Sequence, residues 1–362
     1  MVFYVAYPYY FPHFLPISQY IGSQDKKILY ILSDKQNTAV MEQIAQDEQL
    51  DYLLGDEHLY QVDTQFIFFA NLFNQGRELK ATRLFLWHGV GTKPYDFKQA
   101  LSENDILFTE GDYKYNKLVN EFPQFSSKIY KVGYSKLDSV FNVTTQTIDA
   151  LKDKYQLDKR KKTILYAPTF YPSSIEKMSD DFPKEFSDYN VIVKAHYLTF
   201  ERKKYHKQLI KFNKWAKYDN CTICSVDEYN LVPFLSLADV MISDESAAVF
   251  EFTALNKPVI LNKFLKLRLS YILNPKKLTK RLDSGMDRYR LIGDNANTYD
   301  EMVSMTRDGF NHPDKYEHAR LEMTEDICGL VDGKVSERIY QICESQIQNV
   351  STMAPQLIDQ DN

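Results

Sequence analysis

Residues Ala238-Asp239-Val240-Met241-Ile242-Ser243-Asp244-Glu245-Ser246-Ala247-Ala248-Val249-Phe250-Glu251-Phe252 pass from an apolar run through a polar turn into a second apolar run. Val240 to Ile242 is apolar on both alternating positions, the mark of a parallel strand covered on both faces. The run passes directly into four small or polar residues and then into Ala247-Ala248-Val249-Phe250, which opens a helix. Strand, tight polar turn and helix make one βα unit. Open parallel sheets bind ligands at the carboxyl ends of their strands, so Ser243, Asp244, Glu245, Ser246 and Ala247 are candidate ligand contacts. A helix start offers N–H groups and a positive dipole end to a phosphate. Ser246 is also a natural N-cap, and both readings put a hydroxyl there. Glu251, one turn on, is placed either to reach a ribose hydroxyl or to stand on the surface.

The same unit repeats outward from this stretch. Strand candidates in the first half are Val2–Ala6, Lys27–Leu32, Phe66–Ala70, Arg83–Trp87, Asp105–Thr109 and Ile129–Val132. In the second half they are Thr163–Ala167, Val191–Lys194, Thr222–Val226, Val240–Ser243 and Pro258–Leu261. Between them lie helix candidates such as Gln36–Asp47, Tyr113–Glu121, Arg202–Tyr218 and Ala247–Leu255, with Lys334–Gln348 last. Repeated βα units with right-handed crossovers predict an α/β protein with doubly wound parallel sheets. The polar stretch from Asn142 to Lys162 interrupts the strands and divides the chain near residue 155. We therefore expect a first domain over 1–155, a second over 156–345, and a disordered polar tail over 346–362.

A length of 362 residues agrees with two domains of about 150 residues each. The net charge of −5 argues against a dedicated nucleic-acid binder. A surplus of 26 Tyr and 23 Phe over 12 Gly excludes low-complexity and disordered classes. Four Cys are too few for a disulfide scaffold. Cys221 and Cys224 have redox or zinc spacing, but no second pair accompanies them and the alternation around them reads as a strand. No apolar run approaches the length of a membrane span, and the N-terminus lacks a signal-peptide pattern, so a cytoplasmic protein is expected. Gly89-Val90-Gly91 lacks the third glycine of a dinucleotide fingerprint. Neither His-Glu-x-x-His nor Gly-x-Ser-x-Gly occurs, and no metal site or cofactor is expected.

Three further strand ends carry reactive residues. Leu84-Phe85-Leu86-Trp87 runs into His88 and Gly89. A histidine there can act as a general base near neutral pH or cap the strand through a backbone hydrogen bond, and glycine permits close approach. Tyr166-Ala167-Pro168 stops a strand and exposes Thr169, whose hydroxyl could hold a base or phosphate. Lys194-Ala195-His196 ends a third strand, and the two side chains together could neutralise a phosphate.

Taken together, these motifs resemble the CDP-glycerol glycerophosphotransferase family of teichoic-acid primases and polymerases, over most of residues 80 to 340. Trp87-His88-Gly89 is similar to the family's Trp-His-Gly, and Tyr166-Ala167-Pro168-Thr169 to its Tyr-Ala-Pro-Thr. Lys194-Ala195-His196 stands where the family has Lys-Pro-His-Pro, and Ser243–Ser246 where it has Ser-Asp-Tyr-Ser-Ser. Gly133-Tyr134-Ser135-Lys136-Leu137-Asp138 and Asp332-Gly333-Lys334-Val335-Ser336-Glu337-Arg338 resemble two further segments. The resemblance implies a GT-B architecture, two Rossmann-like domains facing a cleft, with the nucleotide held by the second. It implies transfer of glycerol phosphate or ribitol phosphate from a CDP-linked donor to a hydroxyl of a glycan or lipid-linked acceptor. CMP would be released, in teichoic-acid-like or capsule polymer synthesis. His88 and His196 would be catalytic, His88 as the base; His196, Ser243, Ser246 and the backbone after Glu245 would hold the diphosphate, with Lys194, Asp244, Glu245 and Ala247 among the donor-binding residues. Thr169 and Glu251 would lie near the nucleotide, and Arg338 would add charge. His13, Gly89 and Lys93 are acceptor-side candidates. Three departures, Phe170-Tyr171, Tyr197 and Ala247, replace family Trp-Arg, Pro and Ser. They leave open a GT-B glycosyltransferase using a CMP- or UDP-sugar for surface polysaccharide, or a UDP-sugar 2-epimerase. A non-catalytic scaffold is a third class.

Two segments frame that site. Tyr7-Pro8-Tyr9-Tyr10-Phe11-Pro12-His13-Phe14-Leu15-Pro16 reads as a proline-rich loop whose rings either pack into the core or stack on sugars or a membrane interface. From Lys263 to Arg290, nine basic residues meet two acidic ones. Lys276, Lys277, Lys280 and Arg281 are thus candidates for contact with phosphate-bearing acceptors or the anionic inner face of the plasma membrane, unless they form a solvated helical face.

Overall fold

Phe3 shows why the first half folds as it does. Its ring stacks on Phe68 at 4.5 Å and on Tyr30 at 5.3 Å, and strand register places it opposite both. These aromatic rungs cross β2 (Leu29–Leu32), β1 (Val2–Val5) and β4 (Phe66–Phe69) and absorb part of the Tyr and Phe surplus. Full burial of each such ring contributes about 1.5–3 kcal/mol. The computed structural model describes residues 1–73, 79–91, 96–274, 288 and 290–353.

The remaining strands of the first sheet are β3 (Tyr52–Leu54), β5 (Thr82–Phe85), β6 (Ile106–Thr109) and β7 (Ile129–Lys131). The order is β3-β2-β1-β4-β5-β6-β7, and every recorded pairing is parallel. The second sheet is built from β8 (Thr163–Ala167), β9 (Asn190–Val193), β10 (Cys221–Ile223), β11 (Val240–Ser243), β12 (Val259–Asn262) and β13 (Asp294–Ala296). Its order is β10-β9-β8-β11-β12-β13, again parallel. The α/β architecture of two doubly wound sheets is the one expected. In each sheet the strand order reverses at one point, between β1 and β4 and between β8 and β11. Ligands bind at such switch points, and the residues that leave these strands therefore frame the site.

The chain division is less simple than a cut near residue 155. That position follows the helix Thr145–Lys154, but this helix already packs on the second core through Ile148 and Leu151, beside Tyr134 and Leu137. In return, Val335, Ile339 and Cys343 of the last helix are buried in the first core. The assignment of 156–345 wholly to the second domain is corrected accordingly: the C-terminal helix returns to the first. Asp138 holds the exchange. Its carboxylate accepts from Val335 N at 3.2 Å, Ser336 N at 2.8 Å and Ser336 Oγ at 2.8 Å, capping the last helix from almost 200 residues away. Gly133 makes room for it, with φ +102° and a would-be Cβ only 2.8 Å from Val335 Cγ2.

Other differences have local causes. The helix Val335–Met353 runs beyond the expected Gln348 and into the expected tail; residues 354–362 lie outside the described residues. The proline-rich segment is a short 3-10 turn, Pro8–Tyr10, followed by the helix Phe11–Gly22. Pro12 sits in its first turn, where a missing N–H is harmless. Phe11, Phe14, Ile17 and Ile21 bury one face, which outweighs the lost hydrogen bond at Pro16. β13 escaped the apolar pattern because Asp294 occupies it, paired with Lys315 at 2.8 Å and Tyr316 at 2.9 Å.

Candidate functional site

The switch points face each other across a cavity of about 380 Å³. The first wall comes from the residues after β1 and β5, including Pro8, Tyr9, His13, His88 and Gly89; the second comes from residues after β8, β9 and β11, including Thr169, Lys194, His196, Ser246 and Ala247. Lys136 and Glu251 lie between them.

His88 follows β5 by three residues and is half-buried. Its Nδ1 donates to Ala70 O, just past β4, at 2.5 Å. A carbonyl can only accept, so Nδ1 carries the proton and Nε2 of the neutral ring holds the lone pair. Trp87, edge-on to Phe85 at 4.7 Å and to Phe97 at 5.4 Å, fixes the backbone beneath it. Lys114 braces the same turn from behind, 4.9 Å over Trp87 and bound to Glu110 at 2.8 Å. The backbone hydrogen bond expected of a histidine that caps the strand is present at His88.

His196 is set the other way. It N-caps the short helix Tyr197–Glu201, and its Nδ1 accepts from Leu198 N at 3.1 Å. An amide can only donate, so Nε2 carries the proton of the neutral ring. Phe170 packs against it at 4.8 Å. Lys194 lines the same wall, and burial lowers its ammonium pKa.

Asp244 lies behind the cavity rather than in it. It is fully buried, and its two oxygens accept from Thr169 N, Ser173 Oγ, and Ser174 N and Oγ. Burial pushes its carboxyl up to about 7 against the pull of these bonds. Its work is to hold the loop after β8, and with it Thr169. Ser243 Oγ donates to Ala167 O at 2.6 Å and lies 3.3 Å from Ser246 Oγ; it is buried, and Ser246 is the hydroxyl that reaches the cavity. Ser246 occupies the N-cap position of Ala247–Thr253 without making the expected side-chain cap bond. Glu245 turns away to Lys263 at 2.7 Å.

Two candidates change character. Both oxygens of Glu251 are taken, by Tyr134 OH at 3.0 Å and Lys136 Nζ at 2.6 Å, so it clamps the cleft floor. Arg338 stands outside the cavity: its guanidinium binds Val132 O at 2.7 Å and Asp332 at 2.9 and 3.0 Å. The Asp332–Arg338 segment takes part in the helix exchange. His13 lines the cavity but is almost fully buried, and its Nδ1 has no hydrogen-bond partner among the described residues. Burial, then the Lys136 and Lys114 ammonium groups, hold it well below the usual histidine range, so it stays neutral. Lys93, Lys276, Lys277, Lys280 and Arg281 lie outside the described residues. Three other basic residues of that segment are engaged, Lys263 with Glu245, Arg268 over Tyr171 and Arg288 with Asp326. Cys221 and Cys224 are buried free thiols raised to about 12 by burial, a structural pair. Sequence reasoning missed Lys136 and Tyr197 as lining residues; Lys136 lay inside a quoted motif, but nothing in its neighbours marked it as inward-facing.

Comparison with known proteins accords with this arrangement. A Staphylococcus aureus (strain NCTC 8325 / PS 47) teichoic acid glycerol-phosphate transferase is 25% identical over 279 residues, covering 70% of this chain and 64% of that protein. A Bacillus subtilis (strain 168) teichoic acid glycerol-phosphate primase is 26% identical over 234 residues, covering 60% and 58%. The chain thus spans about three-fifths of the length of these relatives. The structure of the wall teichoic acid polymerase TagF superposes with a TM-score of 0.73 at 18% identity, over 96% of this chain and 89% of that one, which shows a shared GT-B fold. The family model of CDP-glycerol:poly(glycerophosphate) glycerophosphotransferases matches residues 68–345, a span that holds His88, Thr169, His196 and Ser246 together. The chain belongs to the CDP-glycerol:poly(glycerophosphate) glycerophosphotransferase family.

Proposed function

We propose that this protein transfers a polyol phosphate, glycerol phosphate or ribitol phosphate, from a CDP-linked donor to an acceptor hydroxyl in teichoic-acid-like polymer synthesis. The observation that carries the reading is the opposite setting of two histidines on one cavity. His88 presents a lone pair at Nε2, and His196 presents a proton at Nε2. His88 removes the acceptor proton as the hydroxyl oxygen bonds to the phosphorus that bears the polyol. The bond from that phosphorus to the bridging oxygen breaks, and CMP leaves with the electron pair. His196, Lys194 and the Ser246 hydroxyl face the developing phosphate charge, and fixed donors of this kind stabilise a transition state without reorganising. Thr169, held by Asp244, borders the nucleotide. Contact with an anionic membrane through Lys276, Lys277, Lys280 and Arg281 is part of the proposal and rests on their charge. Neutralising all four should weaken binding to vesicles containing anionic lipid, and unchanged binding contradicts that part.

The test is acceptor-dependent CMP release by the wild-type chain from CDP-glycerol or CDP-ribitol. A thermal-shift panel of CDP-polyols, CMP-sugars and UDP-sugars accompanies it. The proposal expects stabilisation by a CDP-polyol and CMP release. Stabilisation by a sugar nucleotide alone would replace it with a glycosyltransferase.

A further inference from the structure

Phosphoryl transfer as proposed above uses His88 and the second wall, and leaves His13 without a role. Its ring lines the cavity yet is only 3% exposed. It stands in the first turn of the helix Phe11–Gly22, whose buried Phe11, Phe14 and Ile17 fix the backbone beneath it. Ser135 Oγ donates to the His13 carbonyl at 3.0 Å, and Tyr134 meets the ring edge-on at 5.4 Å and 63°. None of these contacts uses a ring nitrogen, and the ring makes no hydrogen bond among the described residues. Burial decides which nitrogen carries the proton. Nδ1 is sealed from solvent with nothing to bond, and an orphaned N–H is a costlier defect than an unfilled lone pair. Nδ1 therefore keeps the lone pair, and the proton of the neutral ring sits on Nε2. Nε2 is not sealed, so its N–H is the polar edge that His13 offers to the cavity. The surroundings of that edge are polar without net charge. Tyr134, packed on the ring, donates to Glu251, and Glu251 pairs with Lys136 at 2.6 Å.

We infer that His13 is a specificity residue for the donor: its Nε2–H donates to a hydroxyl of the polyol that the CDP carries, on the floor where Lys136 and Glu251 neutralise each other. The inference rests on the proposed function. In that reaction the attacking and leaving oxygens lie in line through the phosphorus. One end of that line is at His88 and the other at the second wall. The polyol therefore leaves the phosphorus across the line, toward the floor or toward the mouth, and His13 stands where the first wall meets the floor. A hydroxyl accepts from Nε2–H without asking the ring for a positive charge, which the sealed Nδ1 could not support. A phosphate oxygen suits this place less well. It would face the Glu251 carboxylate, while Lys194, His196 and the Ser246 hydroxyl wait on the second wall. A buried N–H that finds its acceptor only when the hydroxyl is present also rejects a donor that lacks it, because the group is then left unpaired.

The experiment titrates the full chain calorimetrically with CDP-glycerol and with the propyl ester of CDP, which has the same charge and chain length but no hydroxyl on its chain. The wild type should bind CDP-glycerol about tenfold more tightly, equivalent to about 1.4 kcal/mol. His13→Phe should lose that preference while still binding the propyl ester; His13→Gln, whose amide can donate from near the Nε2 position, should keep most of it. A second arm needs only the folded wild type. NMR of the histidine ring nitrogens, with the His13 signal assigned by its loss in His13→Gln, should show the Nε2–H form and a shift with CDP-glycerol but not with the propyl ester. A preference that survives in His13→Phe, or a His13 signal that ignores CDP-glycerol, would overturn the inference. Equal binding of the two esters by the wild type would also overturn it and leave the proposed function standing. Failure of the wild type to bind either ester would remove the proposed function, and the inference with it.

Discussion

Replacing Lys136 by Met should destabilise the protein more than any other single change at the cleft floor. Lys136 Nζ lies 2.6 Å from Glu251 Oε2, with the two side chains 10% and 4% exposed. At that distance the gross attraction is about 6 kcal/mol for an effective dielectric near 20. Much of it offsets desolvation, but removing one partner leaves the carboxylate buried and unpaired, which typically costs about 3–5 kcal/mol. Tyr134 still donates to the other oxygen, so the lower end applies if the phenol alone can satisfy it. With an unfolding entropy of about 2.1 cal/mol/K per residue, the loss in a chain of 362 residues corresponds to a fall in Tm of roughly 4–7 °C. Differential scanning fluorimetry of Lys136→Met, Glu251→Gln and the double variant closes the cycle. The double variant should recover at least half of the loss, because a neutral amide no longer needs a cation. A shift under about 2 °C for Lys136→Met, or a double variant no better than the single, would refute the clamp.

Two further predictions concern the positions that sequence reasoning assigned to the donor or to family motifs. Asp138→Ala should remove the remote cap of the last helix, at a cost of about 1–2 kcal/mol, and make Val335–Met353 an early site of limited proteolysis; unchanged cleavage kinetics would contradict the exchange. The folded Asp244 carboxyl titrates near 7 against a reference of 3.8, so its contribution to stability is full below about pH 4 and is lost as pH rises through 7. Relative to Asp244→Asn, which does not titrate, the wild type should gain on the order of 1 kcal/mol between pH 8 and pH 6. A difference independent of pH over this range would contradict a carboxyl that titrates near 7.

How much of this was legible depended on what each segment records of its environment. β8, β9 and β11 are buried throughout and β5 at its C-terminal end, so their apolar runs announced them and located His88, Thr169, His196 and Ser246 at the strand ends. β3 is an edge strand with two exposed leucines, and β13 carries Asp294, so neither shows the pattern. Pro12 and Pro16 hid the first helix, whose stability comes from burying Phe11, Phe14 and Ile17 rather than from propensity. The role of Arg338 was misplaced for a different reason. A motif gives residue types in order, whereas the partners of this one, Val132 O and the Asp138 cap beside it, lie 200 residues away or more. Asp244 and Glu251 illustrate the same limit: an acidic residue after a strand can face a ligand or lock the loop that does.

In the proposed reaction His88 removes the acceptor proton while the second wall holds the donor. Acceptor-dependent CMP release by His88→Ala, measured beside CDP-glycerol binding by the same variant, separates the two roles. A general base at this position requires a loss of about 10²–10⁴ in kcat with donor binding intact; turnover within about threefold of wild type, set against that loss, would remove His88 from the reaction.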